Sequence, residues 1–301
     1  MNSLISELTN RLLKFFVLTL LLVSAAHRLN AKAGDTFVID NLCYTVLTET
    51  GKGGTVSVGS ASNAVSGTLN IPPVVINKGI SYQVTAVADE GFFKCGNLTG
   101  HLVIPDGITR IGALAFSNCS NLDGILVLPK SLKVIGCYAF NGCSSLYGPL
   151  TLPEGLISVG EGAFMNCSGL TDSLAIPKSI RQIEDLAFSG CSGFEGTLVI
   201  PEGVTSVGQY AFSGCSGLTG VRLPKTMKTI ENGLFCGCTG LAGTLTIPNG
   251  VKAIGYRAFS DCNGIQSVKV PKSVSSIGYN SFEGCTGITS NLIVSKDLSG
   301  F

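Results

Sequence analysis

The chain has 301 residues, 45% of them hydrophobic and only 13% charged, with a formal net charge of +1. Such a balance gives no bulk electrostatic reason to bind nucleic acid or an anionic membrane surface. Its 39 glycines suit a backbone that turns sharply many times, and the absence of Trp removes one of the usual anchors of binding surfaces.

Residues 15–26 form an apolar run, preceded by Arg11 and Lys14 and followed by the small-x-small triplet Ala31-Lys32-Ala33. Residues 1–33 therefore read as a secretory signal with Gly34 as the mature start; an uncleaved anchor helix is the rival. No second apolar stretch reaches spanning length, so the mature chain is expected to carry no membrane span and to be secreted or held at the cell surface. Residues 34–66 are polar and irregular, as the exposed end of a stacked repeat requires, and read as an N-terminal cap segment. Repeats then occupy 67–301. The first begins at Gly67-Thr68-Leu69-Asn70-Ile71-Pro72 and carries nine extra residues before Val84, which aligns with Ile108.

From there one unit recurs. Phe92, Phe116, Phe140, Phe164, Phe188, Phe212, Phe235, Phe259 and Phe282 stand 24 or 23 residues apart, each with a cysteine three positions later. Eight have a proline eleven positions earlier, from Pro105 to Pro271. A unit this short cannot bury a core alone, so the copies must stack into an elongated solenoid. In residues 198–218, Leu198 and Ile200 point inward from a short strand that Pro201 ends. Glu202-Gly203 turns the chain, and Val204 and Val207 point inward from a second extended segment. Gly208 makes a corner, Ala211 and Phe212 fill the interior from a single tight helical turn, and Cys215 and Leu218 complete the coil. Single-residue deletions fall only between Leu218 and Pro224 and between Ile265 and Pro271, so the loop before the strand absorbs length change. No C-terminal cap is recognisable: Val294-Ser295 replaces the strand-proline pair, which suggests a frayed last coil or a chain once followed by more protein.

A second period lies above the first. The residues after proline alternate as Asp106, Lys130, Glu154, Lys178, Glu202, Lys225, Asn249 and Lys272. The duplicated unit is thus a pair of coils, and the alternation predicts a charge ladder worth about 0.2–1 kcal/mol per pair. It reads either as an electrostatic strip for a partner or as exposed side chains neutralised to keep register.

Segments such as 104–122, 176–194 and 247–265 follow Leu-x-Ile-Pro-x-x-Val-x-x-Ile-Gly-x-x-Ala-Phe-x-x-Cys-x-x-Leu, which resembles the BspA-type leucine-rich repeats over roughly 67–294. Phe37-Val38-Ile39-Asp40-Asn41-Leu42-Cys43-Tyr44 is similar to the short cap segment common in that family. The expected fold is a β-rich leucine-rich-repeat solenoid of the α/β class: right-handed, with parallel strands stacked along one face and short helical or 3-10 turns. The resemblance implies a secreted or surface protein that adheres to proteins or glycans of host or neighbouring cells; a structural spacer or a fragment of a larger surface protein is the alternative. It supplies no catalytic residues.

Residue chemistry points the same way. Equivalent cysteines in a stack lie parallel, without the convergence that disulfides or a zinc tetrahedron need, so the file reads as buried thiols with weak bonds to the loop backbone. A pairing among Cys43, Cys137 and Cys236, outside the file, stays open. His101 is the one histidine beyond the leader, and no nucleophile motif accompanies it, so neither enzyme, cofactor nor metal is expected. The candidate ligand-binding residues are the outward strand column Val103, Val127, Thr151, Ala175, Val199, Arg222, Thr246 and Lys269, continued by Ile293: apolar at first, then basic. Its rival reading is ordinary strand propensity of Val and Thr.

Overall fold

The structure, a computed structural model, describes residues 31–50, 53–62, 65–289 and 293–294. All but the last three residues of the expected leader, and residues 295–301 where a C-terminal cap was sought, lie outside the described residues.

The chain enters through antiparallel strands. β1 (Thr36–Ile39) pairs with β2 (Leu42–Thr50), and β2 with β3 (Gly53–Ser60). The β1–β2 turn puts Asp40 and Asn41 at φ 50° and 64°, the left-handed pair of a two-residue hairpin loop. The nine extra residues of the first repeat form a second hairpin, β4 (Val74–Asn77) with β5 (Ile80–Val87), closed by Lys78 and Gly79 at φ 49° and 79°. β3 then pairs in parallel with β5, so hairpin geometry changes into solenoid geometry at that one junction. Phe37 stacks on Tyr44 at 5.4 Å and seals this end.

Beyond β5 each coil contributes two short strands. One column runs through Arg110–Ile111, Val134–Ile135 and Ser158–Val159, continuous with β5. It resumes as Gln182–Ile183 with Ser206–Val207, and as Thr229–Ile230, Ala253–Ile254 and Ser276–Ile277. The other column, just before the prolines, pairs Leu102–Val103 with Leu126–Val127, Gly196–Val199 with Leu218–Arg222, and Gly243–Thr246 with Ile265–Val270. Strand pairing is therefore not confined to the one face expected. The longest strands of the second column, Leu218–Arg222 and Ile265–Val270, belong to the two shortened coils. Five residues before proline, Gly148, Asp172, Gly196 and Gly243 bend the 24-residue coils at positive φ; the shortened coils omit that bend, and the neighbours re-register through a bulge after Gly196 and Gly243.

The interior follows the sequence pattern. Leu198, Ile200, Val204, Val207, Ala211, Phe212, Cys215 and Leu218 are all buried, each large apolar side chain being worth about 1.5–3 kcal/mol. The nine phenylalanines form one stack, with successive centroids 5.2–5.8 Å apart and ring planes within 14°.

The aromatic turn is not helical: among the described residues there is no helix at all, not even a 3-10 turn. Helical and 3-10 geometry both require consecutive right-handed residues. Here the residues two before and two after each phenylalanine are left-handed, as at Leu114 (φ 56°) and Asn118 (φ 60°) around Phe116. The result is a series of overlapping β-turns, with the Ser117 N–H donating to Leu114 O and the Cys119 N–H to Phe116 O, both at 3.1 Å. The intervening N–H groups are swung out of the coil. Leu114, Phe116 and Asn118 donate to Cys137, Ala139 and Asn141 of the next coil at 2.7–2.8 Å. A helical turn would have kept some of those donors for itself. The α/β assignment falls with the helix; the solenoid is built of strands and turns.

The charge ladder is also revised. Among the described residues the ion pairs are Arg110–Asp89 and Arg257–Asp261, and none joins the post-proline residues. What alternates structurally is the next position, Gly in one coil and Ser or Thr in the following one. Ser131 Oγ donates to Ile108 O at 2.7 Å and accepts the Gly107 N–H at 3.1 Å. Ser179 and Thr226 donate to Leu156 O and Val204 O, and Ser273 accepts the Gly250 N–H. Hydroxyl bridges tie each pair of coils together, and one charged group joins them, the Glu202 carboxylate accepting the Lys225 N–H at 2.9 Å.

Truncating one member of the aromatic stack should be far more damaging than truncating an outward strand residue. Phe164→Ala is expected to cost about 3–5 kcal/mol in a urea titration followed by circular dichroism, and Val127→Ala less than about 1 kcal/mol.

Candidate binding face

The second strand column sets its outward residues by alternation: where Leu198 and Ile200 point in, Val199 points out. The pairing sets Val103 opposite Val127, Val199 opposite Arg222, and Thr246 opposite Lys269, which in turn pairs with Ile293; these pairs fall in separate short sheets. All eight candidate residues from Val103 to Lys269 are exposed; Val103, Val127 and Val199 show 52%, 46% and 48% of their surface, high for valine in a strand. Two are less regular than expected. Ala175 joins Val199 only through an isolated bridge, and Thr151 lies just beyond the short strand Gly148–Pro149.

Two grooves lie along this file. One, of about 660 Å³, is lined by Ala175, Lys178, Thr197, Val199, Pro201 and Glu202 among others. The other, of about 920 Å³, crosses the three coils that carry Pro224, Pro248 and Pro271 and contains Arg222, Lys225, Thr244, Thr246, Asn249 and Lys269. Thr246 pairs with Lys269 on the neighbouring strand, and Arg222 comes to the same groove from the coil before, whose strand belongs to a separate sheet. Sequence reasoning found Arg222, Thr246 and Lys269 but missed Lys225, Thr244 and Asn249. Thr244 is the second outward residue of its strand, two positions before Thr246, a signal that strand alternation offered. Lys225 and Asn249 belong in sequence to the post-proline alternation, and each follows its proline closely enough to wall the same groove.

Elsewhere the chemistry is quiet. His101 Nδ1 accepts the Ile125 N–H at 2.9 Å, a bond between coils. All twelve cysteines are free thiols, Cys43, Cys137 and Cys236 included. In the file, each Sγ from Cys119 to Cys285 donates to the phenylalanine carbonyl of the preceding coil at 3.0–3.2 Å. Burial drives these thiols up, Cys167 and Cys215 to about 12, because a thiolate there would lose its hydration. They hold adjacent coils and are poor nucleophiles.

The profile of the BspA type leucine rich repeat region, in 6 copies, matches residues 66–195, 125–242 and 194–299. The chain belongs to the BspA-type leucine-rich repeat family. It is similar to a leucine-rich repeat protein of T. pallidum (24% identity over 84% of this chain and 90% of that one, TM-score 0.44). It is also similar to one of Bacteroides ovatus ATCC 8483 (23%, 84% and 93%, 0.41) and to a leucine rich cell surface protein of Faecalibacterium prausnitzii A2-165 (18%, 84% and 93%, 0.39). A search of curated proteins finds no significant match. The motif positions of this BspA-type solenoid, such as Ile104, Phe116, Cys119 and Leu122, are all buried. The motif positions are thus interior positions, and the outward file lies outside them.

The thiol file also sets a pH response. Its members keep their protons in the folded state while the unfolded chain loses them from pH 9 upward, so the folded state binds more protons between about pH 9 and 12. Their contribution is complete below pH 9 and is lost as pH rises. The urea midpoint should fall across that window, and the double variant C167A/C215A should show a shallower fall than the parent.

Proposed function

We propose that this protein is a secreted or surface-displayed adhesion module that recognises proteins or glycans on host or neighbouring cells through the outward strand file. The observation that carries the reading is the file itself: exposed valines and threonines, then cations, running along two grooves, at positions the core does not need. Membership of the BspA-type family supports it. In this reading residues 1–33 are a cleaved leader, 34–66 cap the rod and 67–301 form the solenoid. No helix among the described residues is long and apolar enough to cross a membrane. The work is binding without catalysis, with no cofactor.

The test is to display residues 34–301 on beads and measure retention of matrix proteins and epithelial cells. Retention is expected for the parent and is expected to fall at least tenfold when Val127, Thr151, Val199 and Thr246 become glutamate. Unchanged retention in that variant would remove the strand face from consideration. A parent that retains nothing would point to a spacer.

A further inference from the structure

The downstream groove has a chemistry of its own. Of its twelve lining residues six are exposed, and all six are polar: Arg222, Lys225 and Lys269 supply cations, Thr244 and Thr246 hydroxyls, and Asn249 an amide. The apolar lining residues, such as Ile247 and Val270, are buried or half-buried beneath them. The lining contains no carboxylate, and none of the three cations is ion-paired among the described residues. Unpaired cations gathered in a groove focus a positive potential even on a chain of near-zero net charge. The upstream groove differs: its lining includes a carboxylate, that of Glu202, which accepts the Lys225 N–H of the next coil at 2.9 Å, and its outward residues are Ala175 and Val199.

We infer that the downstream groove binds a linear acidic polysaccharide carrying sulfate or carboxylate groups. The inference rests on the adhesion reading and names a ligand class for one part of its face. Arg222, Lys225 and Lys269 come from two coils on either side of the one that supplies Thr244, Thr246 and Asn249, so cations and hydrogen-bonding groups are spread along the groove, which suits an extended chain bearing repeated anions. Lys225 and Asn249 bound the groove on its loop side, where they reach a second row of anions or hydroxyls. An acidic peptide fits less well, because it answers the cations but makes less use of the Thr244 and Thr246 hydroxyls and the Asn249 amide than a polyhydroxyl chain does. A neutral glycan fits less well too, because it offers the three exposed cations no counter-charge. The attraction is electrostatic and solvent-exposed, so it weakens with salt.

The test uses residues 34–301 and a heparin-derived octasaccharide, with its desulfated counterpart, a uronate oligosaccharide of equal length and a polyglutamate peptide as comparators. Titration calorimetry at low and physiological salt is the readout. Binding of a sulfated or uronate chain is expected, weakening as salt rises. It should fall about tenfold or more in R222E/K269E and in the milder R222Q/K269Q, and stay unchanged in K130E/K133E, whose charges lie outside the groove; matching melting curves establish folding. A preference for the sulfated or the uronate chain identifies which anion is read. Failure of both chains to bind, binding insensitive to R222Q/K269Q, or polyglutamate binding as tightly as the saccharides would overturn the inference. Cell retention on beads that persists in R222E/K269E while no saccharide binds would leave the adhesion reading standing and discard the ligand class alone.

Discussion

The structure depends on backbone hydrogen bonds that leave one coil at the aromatic turn and end on the next. Each turn sends three N–H groups forward and offers three carbonyls backward, as Phe116 does to Ala139 while Ala115 receives Phe92. At this turn the bonds all run in one direction along the rod, whereas the corner glycines donate the other way, as Gly136 does to Ile111 O. This polarity needs alternating handedness in the backbone, and the chain accepts the strain of left-handed Leu114, Tyr138, Leu186 and Tyr210 to achieve it. The lateral bonds bring the phenylalanine rings into face-to-face register and carry each cysteine to the carbonyl it bonds. The strands on the other two sides are short because this side already fixes the coil-to-coil spacing.

Periodicity made the interior legible. Inward residues recur at fixed places because each copy meets the same surroundings, and every interior position read from residues 198–218 is buried. The turn was misread for a specific reason. Phe212 and Cys215 are three apart and both inward, which a helical turn and a pair of overlapping β-turns satisfy equally. A distinguishing signal was present. Two residues after phenylalanine the chain carries Asn118, Gly142, Asn166, Gly190, Gly214, Gly237, Asp261 and Gly284, the types that tolerate positive φ. Two residues before it, Leu114, Tyr138 and Arg257 gave no such warning, because their conformation is imposed by the stack rather than by their own preference. The post-proline alternation misled in the opposite sense. Lys130 and Glu154 are conspicuous, yet it is the modest Ser131 hydroxyl beside them that spans the coils.

The binding face was legible as a column and not as a surface. Strand alternation gives Val103, Val127 and Val199 from sequence alone, whereas the groove also needs residues from the loop after proline, whose direction depends on the corner the chain turns. Lys225 and Asn249 therefore became visible only in three dimensions. The division of labour is physical: side chains that touch the neighbouring coil must repeat, and side chains that touch solvent need not.

The measurement that bears most directly on this account is native-state hydrogen exchange resolved by residue. The amides of Phe116, Phe140, Phe164 and Phe188, bonded to the following coil, should exchange only with global unfolding and be among the slowest in the protein. The amides of Lys130 and Glu154, which have no hydrogen-bond partner among the described residues, should exchange rapidly. Phenylalanine amides that exchange as fast as those of Lys130 and Glu154 would contradict the forward-running bonds and the stack built on them.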